Sequence, residues 1–343
     1  MEKVLLTLIC RPKQWKTISS KDLLESGYPV YGANGKIGFY NSYTHEHPTV
    51  LITCRGATCG SINISDPKSY VNGNAMALDN LSEEVDLYYL KYYLEYRKLD
   101  DVISGSAQPQ ITGKGLSKVK IPLPPLDQQK KIAAILDAAD AYRQKTKALI
   151  EKYDELTQSL FLDMFGDPVR NPKDWNEVIF TEVLVLRRGF DLPRQDRIKG
   201  EYPIMASNGI LDWHNEFKVE GPGIVTGRSG TLGKVHYIEG DYWPLNTALY
   251  SQKLNGNNPI YLIYLIRNFR VERFSRGAGV PTLNRNLVHA ETIMTVPIEL
   301  QNQFADRVQA IEAQKAQAKA SLAQAEDLFN SLLQRAFKGE LTS

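Results

Sequence analysis

Two glycine-rich segments of this 343-residue chain carry an arginine and a threonine at the same spacing. The first, TCRGATCG, includes Arg55 and Thr58, and the second, TGRSGTLG, includes Arg228 and Thr231. A guanidinium in such a turn can reach a phosphate oxygen or the edge of a guanine. A structural salt bridge is an equally good interpretation of either arginine. The pattern therefore indicates a candidate nucleic-acid contact rather than a catalytic group.

Amide and hydroxyl side chains recur in the turns around these two segments. Asn and Gln can form two hydrogen bonds with one adenine, although each can also simply cap a turn. We expect further contacts to come from these polar turns. The candidates are Asn34, Lys36, Asn74, Gln108, Gln110 and Thr112 in the first half of the chain, and Ser207, Asn208, Asn246, Thr282, Asn284, Arg285 and Asn286 in the second.

The sequence lacks the motifs of common catalytic and cofactor sites. It contains no HExxH, GxxxxGK[ST] or GxSxG. Asn258-Pro259-Ile260-Tyr261 lacks the second proline of an adenine methyltransferase tetrad, and it predicts a turn and a helix start. GPGIVTG, from Gly221, matches a phosphate-binding loop only in part, because TGRSG follows instead of a helix start. We expect no catalytic residue and no bound cofactor in this chain.

Histidine and cysteine spacing also fails to predict a metal site. His45 and His47 resemble a metal pair, but polar loop histidines are the better interpretation. Cys10, Cys54 and Cys59 lack zinc-finger spacing and are odd in number, which predicts small buried side chains rather than a disulfide framework.

Composition is that of a soluble globular protein with a formal net charge of only +2. Nucleic-acid contact would therefore depend on local basic clusters, such as residues 187–199 and 267–285, for which a solvated charged face is the alternative. Arg11 and Pro12 interrupt the apolar start before any cleavage site, and YLIYLIRNF falls short of the roughly 20 residues of a membrane span. We expect a cytoplasmic protein with no membrane association.

The chain is an internal repeat. YPVYGANGKIGFYNSY from Tyr28 returns as YPIMASNGILDWHNEF from Tyr202, and the order of later matches is preserved through GSAQPQIT and GAGVPTLN. Matching the two glycine-rich segments letter by letter aligns Arg55 with Arg228. Short β-branched and aromatic runs between Asn-Gly, Gly and Pro punctuation predict an α+β module in each copy.

A long helical pattern follows each copy. Apolar or small residues alternate at intervals of four and three, as in the seam of a coiled coil. In the first helix the predicted seam is Ile135, Ala139, Tyr142, Thr146, Leu149, Tyr153, Leu156 and Leu160. In the second helix it is Phe304, Val308, Ile311, Lys315, Ala318, Leu322, Ala325, Phe329 and Leu332.

The predicted fold class is thus α+β, with two similar modules separated by two long helices that form an antiparallel coiled coil. The predicted domains are residues 1–125, 126–164, 165–298 and 299–343. An ordinary helical hairpin within one domain is the alternative for the helices.

With the duplication, the TxRxxTxG turn, the IPLPPLDQQKKIAAIL exit, and the FGDP and AFKGEL helix ends, the chain resembles the Type I restriction-modification specificity family. The resemblance covers nearly the whole chain. It implies two target recognition domains that read a bipartite, asymmetric site in double-stranded DNA. It also implies recruitment of two modification (methyltransferase) subunits, which bring S-adenosylmethionine and methylate adenine, and to which restriction subunits can be added. The alternative is a scaffold with two ligand- or protein-binding modules on a coiled-coil spacer.

Overall fold

The computed structural model describes residues 3–33, 35–105, 108–277 and 281–341. Contacts divide the chain into two units, one of residues 1–147 with 320–343 and one of residues 148–319. Each unit therefore takes one module and part of both long helices. The domain boundaries expected from the sequence stay a prediction.

The first module is a set of short sheets with three short helices. Its strands are β1 (Lys3–Leu5), β2 (Arg11–Gln14), β3 (Tyr28–Gly32), β4 (Gly35–Tyr40), β5 (Val50–Thr53), β6 (Ile62–Ile64), β7 (Tyr70–Val71), β8 (Ala75–Asp79), β9 (Ile103–Ser104), β10 (Gln110–Ile111) and β11 (Lys120–Pro122). Its helices are α1 (Leu6–Ile9), α2 (Leu87–Arg97) and α3 (Gly113–Leu116). A four-stranded sheet of order β2-β8-β5-β6 lies beside a three-stranded sheet of order β4-β3-β7.

The second module repeats this topology strand for strand. Its strands are β12 (Glu177–Ile179), β13 (Val185–Arg188), β14 (Tyr202–Ala206), β15 (Gly209–His214), β16 (Gly223–Gly227), β17 (Val235–Ile238), β18 (Trp243–Pro244), β19 (Ala248–Lys253), β20 (Ser275–Arg276), β21 (Thr282–Leu283) and β22 (Thr292–Met294). Its helices are α5 (Phe180–Val183), α6 (Pro259–Phe269) and α7 (Arg285–His289). The sheet orders β13-β19-β16-β17 and β15-β14-β18 correspond to those of the first module. The α+β duplication predicted from the sequence is confirmed.

The two long helices are α4 (Leu126–Phe165) and α8 (Ile298–Lys338), and they run antiparallel. In the first unit, Ile132 and Leu136 near the start of α4 pack with Phe329 and Ala336 near the end of α8. In the second unit, Phe161 near the end of α4 lies 5.6 Å, ring centre to ring centre, from Phe304 near the start of α8. The beginning of each helix thus meets the end of the other, as the predicted coiled coil requires.

The seam of α8 is confirmed, but half of the seam predicted for α4 is wrong. Thr146 is buried, and Ala139, Tyr153 and Leu160 are partly buried. The other four residues are 38–55% exposed and lie one position before the true seam: Ile135, Tyr142, Leu149 and Leu156. Arg143 occupies a seam position, where its guanidinium lies 4.1 Å from the centre of the Phe329 ring. Because Arg143 is not apolar, a search for apolar periodicity along α4 does not detect the correct seam register.

A buried glutamine joins each module to the long helix that follows it. The side chain of Gln129 accepts a hydrogen bond from the N–H of Asp86 (2.9 Å) and donates to the carbonyl oxygens of Glu84 and Pro124. Because Asp86 caps the N-terminus of α2, Gln129 fixes the start of α4 to the start of α2.

Gln301 repeats this arrangement in the second unit. It accepts from the N–H of Asn258 (2.9 Å), the cap residue of α6, and donates to Asn257 and to the carbonyl oxygen of Val296. We call Gln129 and Gln301 the latch glutamines. No sequence pattern distinguishes them from neighbouring glutamines, because only their contacts differ.

Candidate nucleic-acid interface

Three polar loops meet at one surface of the first module: the tip of the β3–β4 hairpin, the glycine-rich turn after β5 and the strand β10. Thr53 donates through Oγ1 to the carbonyl oxygen of Ala33 at the hairpin tip, at 2.6 Å. Thr58 in the turn contacts the same oxygen at 3.4 Å. Arg55 forms an isolated β-bridge with Gln110. These loops, which are separate in the sequence, are thus held together by two threonine hydroxyls and one backbone bridge.

The predicted site residues of this module that the structure describes all have exposed side chains. They are Lys36, Arg55, Thr58, Asn74, Gln108, Gln110 and Thr112. The Lys36 ammonium lies 4.4 Å from the centre of the Phe39 ring. Thr112 caps α3 through a hydrogen bond from the N–H of Gly115, so it has a structural role. Asn34 lies outside the described residues.

In the second module the glycine-rich turn after β16 and the strand β21, together with β13, line an open cavity of about 400 Å³. We call it the four-arginine cavity, because Arg188, Arg228, Arg276 and Arg285 line it. Its remaining walls are Leu249, Thr282, Leu283, Asn284 and Asn286. Five of the predicted site residues, Arg228, Thr282, Asn284, Arg285 and Asn286, are therefore brought together.

The arginines of this cavity have few anionic partners. Arg188 lies 3.6 Å from Asp191, at a site where both side chains are more than half exposed. Arg276 and Arg285 make no ion pair or side-chain hydrogen bond with any residue in the described ranges. No acidic residue lines the cavity among the positions that the structure describes. The positive charge of the four arginines is therefore not balanced by any acidic residue that lines the cavity in the described chain.

The other predicted residues of the second module lie beside the cavity rather than in it. Asn208 is exposed at the tip of the β14–β15 hairpin, next to the buried Ser207. Thr231 is half-buried in the glycine-rich turn. Asn246 donates through its side-chain amide to Asp191. Arg188 and Arg276 were missed as individual candidates, although both lie in or beside the basic runs noted above.

The letter-by-letter match of Arg55 with Arg228 is wrong by one residue. Arg55 bridges Gln110, whereas the bridge to Thr282 in the second module comes from Ser229. Likewise, the N–H of Ile111 bonds to the oxygen of Cys54 (3.0 Å), and that of Leu283 bonds to the oxygen of Arg228 (2.8 Å). Arg228 is therefore equivalent to Cys54. Since successive side chains of an extended segment point to opposite sides, the two arginines face different surroundings.

The physical reason is a turn of different length. Glycines with positive φ flank the turn at Gly56 and Gly60 in the first module and at Gly230 and Gly233 in the second. The first turn is one residue longer between these points. An alignment based on the shared Thr-x-Arg triplet places this extra residue outside the turn. It therefore pairs Arg55 with Arg228, one position away from the structural equivalence.

Histidine and cysteine behave largely as expected. His45 bonds through Nε2 to Asp79 at 2.9 Å and through Nδ1 to Thr44. Cys10 and Cys54 are buried, Cys59 is half-buried, and all three are free thiols. Burial raises the pKa of the Cys10 thiol to about 12. Within the described ranges, no group of three His, Cys, Asp or Glu side chains is placed to hold a metal ion.

Among the helices that the structure describes, none combines the length and the apolar character needed to cross a lipid bilayer.

The topology and these loops define a class of protein: two copies of one reading module, joined to paired helices. Residues 1–153 and 172–326 each match the Type I restriction modification DNA specificity domain. The chain belongs to this family.

Individual relatives agree with the family. The chain is 36% identical over 172 residues to a putative type I restriction enzyme specificity subunit of Methanocaldococcus jannaschii, covering 44% of this chain and 40% of the relative. It is 23% identical over 274 residues to a putative type I specificity subunit of Mycoplasma pneumoniae, covering 75% and 74%. The match thus spans less than half of the archaeal relative.

Solved structures show the same fold. The S subunit of a Type I restriction-modification system from M. genitalium superposes with a TM-score of 0.67 at 19% identity, covering 98% of this chain and 95% of that one. A chain from a structure of a type I restriction-modification system, described for its complex assembly and conformational transition, gives a TM-score of 0.59 at 15% identity.

Proposed function

We propose that this chain reads a bipartite, asymmetric site in double-stranded DNA, one half-site per module, as the specificity subunit of a Type I restriction-modification system. The observation that carries the proposal is that one scaffold occurs twice with different side chains on the same loops. The four-arginine cavity is lined by Arg188, Arg228, Arg276 and Arg285, and the equivalent positions in the first module hold Gln14, Cys54, Ser104 and Gly113. Two modules with one backbone and different surfaces suit two different half-sites.

The chain acts in this proposal without catalysis of its own. Methylation of adenine, with S-adenosylmethionine as the cofactor, belongs to two modification subunits that the chain recruits, and restriction subunits are further partners. We expect the protein to work in the cytoplasm, together with the duplex it reads.

Exposed apolar residues on α4 support recruitment of a helical partner. Ile135 and Tyr142 lie seven residues apart in the first unit and are 38% and 55% exposed. Tyr142→Glu should weaken co-purification with the modification subunit, whereas Gln144→Glu, an exposed position on the opposite face of the same helix, should not. Equal co-purification of both variants would remove this surface from the proposal.

A module exchange tests the function itself. The second module, from residue 165 through its latch glutamine Gln301, is replaced with the corresponding segment of another specificity subunit. The methylomes of cells with the parent gene, with the chimera and with neither are then sequenced. We expect one half-site to change and the other to stay. An unchanged motif in an active chimera would show that the second module does not read sequence. Binding to random duplex at several salt concentrations separates this function from a non-DNA scaffold, because phosphate contacts weaken steeply with salt.

A further inference from the structure

The four-arginine cavity draws its cations from three separate parts of the second module. Arg188 ends β13, Arg228 follows β16, and Arg276 and Arg285 flank the β20–β21 connection. Four like charges on one cavity wall repel one another, and no acidic side chain among the described lining residues offsets that repulsion. The arrangement is costly unless an anion from outside enters.

The described positions of the first module that are equivalent to these four arginines carry no basic residue. Strand register makes Gln14 the equivalent of Arg188. Gln14 lies opposite Met76 in the first module, and Arg188 lies opposite Leu249 in the second. Cys54 takes the place of Arg228, by the backbone hydrogen bonds of the turn. The pairing of β9 with β10 and of β20 with β21 makes Ser104 the equivalent of Arg276, and Gly113 the equivalent of Arg285. On the corresponding loops of the first module, basic side chains stand at other positions, namely Lys36, Arg55 and Lys114.

We propose that the four-arginine cavity holds a backbone phosphate of the duplex, and that this phosphate seat exists in the second module alone. This inference rests on the proposed function. The major-groove edge of guanine is a neutral group with two acceptors, which one guanidinium satisfies. A phosphate carries a full charge and accepts hydrogen bonds from several guanidinium groups at once, and four arginines that line one cavity can supply these bonds.

Arg276 and Arg285 are the residues to change, because both lack side-chain partners in the described chain and their loss should leave the fold intact. The full-length parent and the Arg276→Ala/Arg285→Ala variant are titrated with two 40-base-pair duplexes, one carrying the methylated motif and one scrambled, at several salt concentrations. Each lost phosphate contact lowers the slope of log K against log salt by about 0.9. We expect a slope smaller by about one, with the same loss of affinity on both duplexes.

The matched control is Arg187→Ala/Arg194→Ala, which removes two exposed charges from the same module outside the cavity. Arg187 is the neighbour of Arg188 on β13 and points to the opposite face of the sheet. This variant should keep more of the parent slope than the cavity variant. Equal effects of the two pairs would mean that only net charge matters, and would overturn the phosphate seat.

Duplexes with single uncharged methylphosphonate linkages then locate the contact. The parent should lose affinity at one or two linkages beside the half-site of the second module, and the cavity variant should be insensitive there.

If the cavity variant loses discrimination at one base pair while keeping its slope, the arginines read a base and the proposal is wrong. If the parent shows no salt-dependent binding to either duplex, the proposed function fails first. If the parent binds and the cavity variant is indistinguishable from it, the phosphate seat alone fails.

Discussion

Arg228 donates a hydrogen bond through Nη1 to the main-chain oxygen of Asn246, at 3.1 Å. At the equivalent place in the first module, the thiol of Cys54 contacts the main-chain oxygen of Gly73 at 3.6 Å. An arginine and a cysteine thus satisfy the same carbonyl on the same scaffold. The arginine does so while also lining the four-arginine cavity, so it holds the turn as well as adding charge.

Arg228→Ala should therefore lower both stability and DNA binding, whereas Arg55→Ala should lower DNA binding alone. Arg228 loses a hydrogen bond from a charged donor, worth about 1–2 kcal/mol, but Arg55 is exposed and has no side-chain hydrogen bond in the described chain. Thermal unfolding and half-site binding, measured on the same preparations, separate the two effects. A normal melting temperature for Arg228→Ala would show that its bond to Asn246 is dispensable.

The latch glutamines predict a stability loss without a change of the surface loops. Gln129→Leu leaves the N–H of Asp86 unpaired inside the protein, which should cost about 2–3 kcal/mol of the free energy of unfolding of the first unit. Gln301→Leu should do the same to the second unit. Denaturant unfolding measures both. Gln128→Leu, on the same turn of α4 but without a side-chain hydrogen bond to described residues, is the control and should stay near the parent.

A gain of charge can be built into the first module at Gly113. This residue is equivalent to Arg285, and a Cβ added there would meet no atom within 4 Å. Gly113→Arg should fold normally and should bind scrambled duplex more tightly at low salt, with a salt slope steeper by up to about one. Gly256→Arg, on a turn of the second module away from the cavity, is unsuitable as a control because its φ is +77°. Lys114→Ala, which removes a charge from the neighbouring residue, serves as the control and should make the slope of log K against log salt less steep. An unchanged slope for Gly113→Arg would mean that this loop does not face the phosphates.

Acid should destabilise the second unit through His289. Burial, and then the nearby Arg285, lower the pKa of this imidazole, whose Nε2 accepts a hydrogen bond from the N–H of Leu186. The unfolded chain binds the proton with a pKa near 6.5, above the folded value. The contribution of His289 to the free energy of unfolding is therefore fully present above about pH 6.5. It is lost as the pH falls from that value toward the folded pKa. His289→Gln should flatten the curve of unfolding free energy against pH. A curve as steep as that of the parent would exclude His289 as the source.

The sequence could predict the duplication and the long helices because both depend on patterns that repeat along the chain. It could not predict which face of α4 forms the seam, since Arg143 takes a seam position by laying its stem and guanidinium against Phe329. Nor could it predict the equivalence of Arg228 with Cys54, because strand register is set by hydrogen bonds and the turn differs by one residue.

The candidate site was predicted in part for a similar reason. The string around Thr282 and Arg285 was found because its residues are neighbours in the chain. Arg188 joins them only through the pairing of β13 with β19, which brings together positions far apart in sequence.

The latch glutamines have a consequence for how such genes can exchange parts. Gln129 belongs to the long helix, yet its hydrogen bonds are with residues 84, 86 and 124 of the module before it. A recombination event with its breakpoint between codons 86 and 129 would separate partners that fit each other. A breakpoint beyond codon 129 transfers the module together with its own latch. Hybrid genes joined inside the helix should therefore yield stable proteins more often than hybrids joined at the end of the sheet.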